Sequence, residues 1–169
     1  MKVLVSAASK HGSTGEIAVA IADVLVARNF EAATVPPERV EAIEQYDAVV
    51  LGSAVYAGHW LKEARDLADS RAAALSGRPV WLFSSGPIGD PPKPEDDPVN
   101  TADLMEKTGA RSHRLFAGKL DKHKLGFGER AIVVALRAPE GDFRDWDEIR
   151  GWAGEIADEL AGGAREAAG

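Results

Sequence analysis

Residues 2–18 constrain the fold of this chain more than any other stretch of the sequence. Val3, Leu4 and Val5 form a short apolar run typical of a buried strand, and small and hydroxyl residues follow it. The chain then turns through Gly12 and enters a helical pattern. Such a junction directs backbone N–H groups and the positive end of a helix dipole to one point. The sequence therefore predicts an anion-binding loop, with phosphate as its natural ligand.

The sequence of this loop excludes the best-known phosphate-binding patterns. No Lys stands where G-x-x-x-x-G-K-[ST] requires it, and G-x-G-x-x-G is absent. The residues instead read S-x-x-G-x-T. Because His11 within this loop is mostly neutral at pH 7, a phosphate would be held mainly by neutral donors. A solvated Ser/Gly turn between strand and helix is the alternative interpretation. The predicted phosphate ligands are Ser9, Lys10, His11, Gly12, Ser13 and Thr14.

Short apolar runs alternate with helical patterns along most of the chain. Helices are predicted between the strands and after the capping box Asp145-x-x-Glu148, and residues 125–136, which fit a strand or a helix, are assigned to a helix. This alternation favours parallel strands joined by right-handed crossovers, and the doubly wound order 2-1-3-4-5 accommodates five of them. We therefore predict an α/β three-layer sandwich with a five-stranded parallel sheet. Its strands are predicted near residues 3–5, 32–35, 47–51, 80–83 and 114–117.

Length, cysteine content and charge limit the possible functions. A chain of 169 residues suffices for one core, so we predict a single domain over residues 1–161 and a frayed tail over residues 162–169. The absence of Cys excludes iron–sulfur clusters, covalent haem and cysteine catalysis, so redox chemistry would need a bound organic cofactor. The net charge of -7 argues against general affinity for nucleic acid. No signal-peptide pattern or membrane-spanning apolar run is present, so we expect a cytoplasmic protein.

Two further segments rich in Gly, Ser and Ala reach the same edge of the predicted sheet. Residues 52–60 follow the third strand, and residues 84–90 follow the fourth. In a doubly wound sheet the ligand lies at the carboxyl ends of the strands where the chain order reverses. Phospho-receiver domains share this kind of sheet, but the acidic residues that they need after the first and third strands are absent. Small residues let the backbone approach a flat ring closely, so a planar ligand is expected beside the phosphate.

The pattern Ser9-x-x-Gly12-x-Thr14, with Ala18 four residues after the Thr, resembles the phosphate-binding signature of the flavodoxin family. In that family the loop after the first strand wraps the 5′-phosphate of FMN, and many members have an aromatic residue where this chain has Ala7. The resemblance implies a flavodoxin-like fold and FMN as the cofactor, with a deazaflavin as the alternative. It also implies that two loops hold the flavin ring, through Ser53, Ala54, Val55, Tyr56, Ala57, Gly58, Ser84, Ser85, Gly86, Pro87, Ile88 and Gly89.

Two aromatic residues stand in the first of these ring-binding loops. Tyr56 is the predicted stacking partner of the ring, whereas Trp60 precedes a helix and is predicted to pack as a hydrophobic staple. The peptide between Ala57 and Gly58 is predicted to accept a hydrogen bond from the reduced ring, because Gly tolerates the backbone change. His59 is predicted to lie at the surface, and the spacing of the four histidines indicates no metal site.

Three longer stretches are similar to those of the menaquinone-dependent protoporphyrinogen IX dehydrogenases, which are FMN proteins of the flavodoxin fold. They are GSAVYAGHW from Gly52, AGKLDKHKLG from Ala117 and FRDWDEIRGWAGEIA from Phe143. This resemblance implies an FMN-dependent oxidoreductase that oxidises a porphyrinogen and reduces a quinone, with no residue assigned as its catalytic base. The basic, aromatic insert of that family corresponds to residues 119–137, which contain few aromatic side chains.

Two other functions fit the same residues. One is a flavodoxin carrier, which would exchange electrons with a redox partner protein and use the acidic run Glu95-Asp96-Asp97 for docking. The simpler interpretation of that run is a solvated charged surface. The other function is a regulatory module that keeps the loops and holds no flavin.

Overall fold

Strands and helices alternate through the part of the chain that the computed structural model describes, residues 1–56, 58–86, 101–120, 126 and 141–169. Two short 3-10 turns, Pro37–Arg39 and Ile43–Gln45, precede the third strand. The strands are β1 Lys2–Ala8, β2 Glu31–Thr34, β3 Ala48–Tyr56, β4 His59–Trp60, β5 Val80–Ser85, β6 Ser112–Phe116, β7 Lys119–Leu120 and β8 Gly141–Asp142. The helices are α1 Ser13–Ala27, α2 Lys62–Ser70, α3 Ala72–Ser76, α4 Thr101–Thr108 and α5 Trp146–Ala168.

Five of the strands form a parallel sheet in the order β2-β1-β3-β5-β6. Counted along the parallel strands alone, this is the doubly wound order 2-1-3-4-5, so the predicted fold is confirmed. In the centre of the sheet, Val3 of β1 lies opposite Ala32 on one side and Ala48 on the other. The sequence analysis did not predict the two antiparallel additions, β4 beside β3 and the separate β7–β8 ribbon.

Helices cover both faces of the sheet because successive side chains of each buried strand point to opposite sides. Val3 and Val5 pack with α1 and α5, whereas Leu4 packs with α2, α3 and α4. On the first face, the rings of Phe83, Phe116 and Trp152 meet at centroid distances of 5.5–6.0 Å. The resulting three layers hold the carboxyl ends of the parallel strands at one edge of the molecule.

β3 and β5 are longer than predicted and extend into the segments that the sequence analysis assigned to the ring-binding loops. β3 continues through Tyr56, and β5 includes Ser84 and Ser85. Gly52 is buried within β3 because the ring of Phe83 packs against it, leaving only 2.3 Å to the position of a Cβ atom. The lack of a Cβ atom at Gly52 therefore allows close packing within the sheet, as Gly in a strand interior often does.

The last helix begins as predicted and ends later. Asp145 is its N-cap, and the Asp145 carboxylate accepts a hydrogen bond of 3.0 Å from the backbone N–H of Glu148. The expected frayed tail is instead a continuation of α5 through Ala168, because Ala, Arg and Glu are strong helix formers. The helix predicted over residues 125–136 lies outside the described residues, apart from Gly126. Within the described ranges, no helix is both long and apolar enough to cross a membrane.

Candidate functional site

The phosphate loop predicted from the sequence joins β1 to α1 at the carboxyl edge of the sheet. Gly12 is the N-cap of α1 and has a φ of +89°, a left-handed conformation that Gly adopts without strain. Among the described residues, no side chain caps the first turn, and apart from the chain neighbours of Gly12 no atom lies within 4 Å of the position that its Cβ would take. A ligand oxygen fits this open position, where the helix dipole favours negative charge.

The other predicted phosphate ligands surround this turn with different degrees of exposure. Lys10 is exposed, and Ser9, His11 and Ser13 are half-buried. Thr14 is buried in the first turn of α1. The loop therefore combines exposed and half-buried polar groups with the uncapped start of a helix.

Lys10 and Tyr56 bring the phosphate loop close to the end of β3. The Lys10 ammonium lies 5.5 Å from the centroid of the Tyr56 ring, within the range of a cation–π contact. The Tyr56 side chain is 38% exposed, and partial burial raises the pKa of its hydroxyl above the ordinary value. An aromatic face thus lies beside the anion-binding loop, although the two residues are far apart in the sequence.

The segment after Tyr56 is a tight hairpin rather than an open loop. Tyr56 of β3 pairs with His59 of β4, and Gly58 turns the chain with a φ of +79°. The fully buried Ser53 hydroxyl donates to the carbonyl of Ala54 at 2.8 Å and accepts from the N–H of Leu61 at 2.9 Å. Ser53 therefore supports the hairpin from beneath. The predicted site residues Ala54 and Val55 are half-buried in the same strand, and Ala57 lies outside the described residues.

Ser84 connects three neighbouring strands beneath the same edge. Its hydroxyl oxygen accepts a hydrogen bond of 2.7 Å from the indole N–H of Trp60 and lies 2.7 Å from Nε2 of His113. Ser84 is fully buried, and Ser85 beside it is buried as well. Trp60 packs in the core on the α2 side of the sheet, so its ring does not face a ligand at the surface.

The second predicted ring-binding loop begins at Gly86, directly after β5. Gly86 has a φ of +89°, and its N–H donates to the carbonyl of Phe116 at 3.0 Å. A Cβ on Gly118 would lie 3.2 Å from both Cα and N of Gly86, so these two glycines allow a close backbone contact. The loop therefore begins against the residues that lead into the β7–β8 ribbon. Pro87, Ile88 and Gly89 lie outside the described residues, as does the acidic run 95–97.

Arg144 is a charged residue at this edge that the sequence analysis missed. Its guanidinium group donates to both carboxylate oxygens of Asp142 at 2.8 and 2.7 Å. It also reaches the first turn of α1, where it donates to the carbonyl of Ser13 at 3.2 Å and to the carboxylate of Glu16 at 2.7 Å. The Arg144 side chain is only 3% exposed and lies over the Trp146 ring. No local pattern predicts these contacts, because Arg144 and Ser13 are 131 residues apart.

The geometry of this edge combines an uncapped helix start with an aromatic face and two glycine turns. A site of this kind can hold an anionic group at one end and a planar group at the other. Among the described residues, no group of three or more His, Asp or Glu side chains is arranged to bind a metal ion.

Comparison with known families identifies the domain. The family model of the flavodoxin domain matches residues 4–147, which is most of the chain. The chain belongs to the flavodoxin domain family. The resemblance seen in the S-x-x-G-x-T loop is therefore confirmed.

Known proteins similar to this flavodoxin domain include an enzyme, by sequence, and flavodoxins, by fold. The protoporphyrinogen IX dehydrogenase [quinone] of Escherichia coli strain K12 is 24% identical over 172 residues, covering 93% of this chain and 95% of that protein. A flavodoxin from the domain Archaea has a TM-score of 0.65 at 19% identity, covering 95% of this chain and 99% of that one. Flavodoxin 1 from Bacillus cereus has a TM-score of 0.64 at 18% identity, with 94% and 98% covered. These structural similarities support the flavodoxin-like fold.

Proposed function

We propose that this flavodoxin domain binds FMN and transfers electrons through it. The observation that carries the proposal is the meeting of the uncapped α1 start at Gly12 with the exposed ring of Tyr56, bridged by Lys10. A phosphate monoester needs the first feature, and a flat apolar ring needs the second. Membership of the flavodoxin domain family supports the same cofactor.

The residues divide between direct contact and support. We assign the phosphate to the loop from Ser9 to Thr14, with Lys10 as its cation. We assign the ring to Tyr56 and to the backbone at Gly58 and Gly86, whose positive φ angles let the chain turn close to a ligand. The buried Ser53 and Ser84 hydroxyls have partners within the chain, so we assign them to holding the two turns in place.

The protein's part in the reaction is to bind and orient FMN and to tune its electronic properties. When bound, FMN supplies a ring that takes up and releases electrons. The Lys10 ammonium places a positive charge beside the Tyr56 ring, where it favours negative charge on a neighbouring ligand. The turn at Gly58 supplies a backbone whose conformation can adapt to the ring.

The transferred electrons have two candidate destinations, a quinone or a redox partner protein. The similarity to the E. coli protoporphyrinogen IX dehydrogenase [quinone] extends over 93% of this chain and favours an enzyme that oxidises a porphyrinogen and reduces a quinone. In that reaction the porphyrinogen loses two electrons and two protons at a time. Each quinone that takes up two electrons and two protons becomes a quinol. The similarity in fold to flavodoxins from Archaea and Bacillus cereus favours the second role, a carrier between redox partner proteins.

Cofactor binding is tested by titrating the purified protein with FMN and recording its visible absorption and flavin fluorescence. We expect saturable binding that Tyr56→Phe preserves and Tyr56→Ala weakens by about two- to tenfold, since an aromatic pair contributes about 0.5–1.5 kcal/mol. A wild-type protein that binds no FMN would refute the proposal. Equal affinity in the Tyr56→Ala variant would refute the role of the ring.

The two roles are separated with the FMN-loaded protein under anaerobic conditions. An enzyme would convert protoporphyrinogen IX to fluorescent protoporphyrin at a rate that depends on added menadione, a soluble quinone. A carrier would show no such turnover and would pass electrons from a flavodoxin reductase to cytochrome c. Porphyrin formation that is independent of the quinone would contradict the enzymatic role.

A further inference from the structure

Arg144 joins the start of α1 to the base of the β7–β8 ribbon. Its guanidinium group donates four hydrogen bonds to three partners, the Asp142 carboxylate, the Glu16 carboxylate and the Ser13 carbonyl. Bidentate pairing of a guanidinium with a carboxylate fixes orientation as well as distance. The Trp146 ring covers the guanidinium, with its centroid 4.6 Å from the central carbon. Arg144 is therefore held in one geometry against the first turn of the helix.

The ribbon itself is attached to the same edge of the sheet at a second point. The N–H of Phe143 donates to the carbonyl of Gly118 at 3.1 Å, and Lys119 of β7 pairs with Asp142 of β8. The position of a Cβ on Gly118 is 3.2 Å from the backbone of Gly86. Asp142 thus has a fixed base from which it orients Arg144 toward α1.

Charge explains what Arg144 does at this position. Glu16 lies in the first turn of α1, where its carboxylate would repel a phosphate bound at the helix start. Arg144 pairs with that carboxylate at 2.7 Å and neutralises it, while Asp142 holds the guanidinium from the other side. Without Arg144, the Glu16 carboxylate would stand beside the anion-binding loop without this ion pair.

We propose that Arg144 is a positioning residue for the phosphate loop, which neutralises Glu16 and fixes the first turn of α1 through the Ser13 carbonyl. This inference rests on the proposed binding of FMN. It requires no contact between Arg144 and the ligand. Its effect is confined to the phosphate end of the site, so a flavin without a phosphate should not depend on Arg144.

The first experiment compares FMN with riboflavin, which has the same ring and no phosphate. In the Arg144→Gln variant we expect the Kd of FMN to rise about tenfold or more, and the Kd of riboflavin to stay within about twofold of wild type. The matched control is Arg150→Gln, because Arg150 is exposed and its guanidinium lies over the same Trp146 ring, 5.9 Å from the ring centroid. The control should leave both constants unchanged.

The second experiment tests the charge argument with Glu16→Gln. Adding it to Arg144→Gln restores the local net charge of the wild type, so we expect most of the lost FMN affinity to return. Glu16→Gln alone should bind FMN as tightly as wild type or tighter, and this single variant keeps the test available if Arg144→Gln does not fold.

Several outcomes would overturn the inference. They are an unchanged Kd of FMN in Arg144→Gln, an equal loss of FMN and riboflavin affinity, no recovery in the double variant, and weaker FMN binding by Glu16→Gln alone. Failure of the proposed function is a different result, since the wild-type protein would then bind neither flavin.

Discussion

At the scale of single residues, the Ser84 hydroxyl holds three strands together through hydrogen bonds with Trp60 and His113. Replacing Ser84 with Ala would leave the buried indole N–H of Trp60 without its acceptor. We expect Ser84→Ala to lower the free energy of unfolding by about 1–3 kcal/mol, the usual cost of an unsatisfied buried polar group. Urea unfolding followed by circular dichroism measures this change. The exposed Ser76→Ala variant is the control and should change stability by less than about 0.5 kcal/mol.

A second prediction at the residue scale concerns the effect of Gly52→Ala on stability. A Cβ atom at this position would lie 2.3 Å from the Phe83 ring, so Gly52→Ala forces the ring or the strand to move. We expect a loss of about 1–3 kcal/mol in the free energy of unfolding, as for other overpacked cores. Gly151→Ala is the control, because among the described residues no atom beyond its chain neighbours and the local helix backbone lies within 4 Å of its Cβ position, and Ala favours the helix. A Gly52→Ala protein as stable as wild type would contradict the packing described for β3.

The residues that the sequence identifies best are those whose roles are set by near neighbours. The strand, the turn at Gly12 and the start of α1 follow from a short local pattern, and the structure has them where the pattern predicts. Gly52 and Ser84 lie in segments that composition predicts beside a ligand, and their contacts with Phe83 and Trp60 are not evident from composition. Arg144 was missed because its partners on α1 are distant in the sequence.

At the scale of elements, we expect the stability of the β7–β8 ribbon to depend on the ionisation of Asp142. Hydrogen bonds from Arg144 hold the pKa of Asp142 below its usual value in the folded protein. A lowered pKa stabilises the fold above the unfolded value of about 4, and that contribution is lost as the pH falls through the folded value. We therefore expect Asp142→Asn to be less stable than wild type at pH 6, and the difference to shrink below about pH 4.

Thermal unfolding of both proteins between pH 6 and pH 2.5 measures this dependence. The Asp23→Asn variant, changed at an exposed position of α1, is the control for removing a carboxylate elsewhere. A stability difference between wild type and Asp142→Asn that stays constant over the whole range would contradict the assigned ion pair.

The main strands and helices were predictable because their periodicity records burial on one face or two. Their ends were less predictable, since tertiary contacts determine them. β3 extends to Tyr56 because β4 pairs with it, and no apolar alternation marks a strand as short as His59–Trp60. The β7–β8 ribbon pairs Lys119 with Asp142 across a long stretch of chain, so no turn signal between adjacent runs indicated it.

At the scale of the whole molecule, the proposed site lies between the two halves of the sheet, so ligand binding should stabilise the fold as a unit. Free FMN at about 100 times its Kd is expected to add about 2.7 kcal/mol to the free energy of unfolding. For a domain of this size that raises Tm by roughly 5–10 °C, which differential scanning fluorimetry with circular dichroism can measure. An unchanged Tm at saturating FMN would contradict the expectation that FMN binds the folded protein in preference to the unfolded chain.

The order of the sheet could be predicted for the whole chain because alternation and handedness leave few arrangements of five parallel strands. The predicted position of the site followed from that order, since the chain order reverses between β1 and β3. The substrate could not be predicted from the strand order. The fold determines which loops lie at the edge of the sheet, whereas the reaction depends on the side chains that those loops carry.

The contact between Arg144 and the first turn of α1 also has a consequence for biosynthesis. On the ribosome, Ser13 and Glu16 emerge long before Arg144, which follows Ser13 by 131 residues. If Arg144 completes the phosphate loop, a nascent chain captures its cofactor only after Arg144 has left the ribosome. In a circular permutant that begins at Gly141 and joins α5 to β1, Arg144 would emerge before Ser13 and Glu16, so the order in which the partners of this contact are made would reverse.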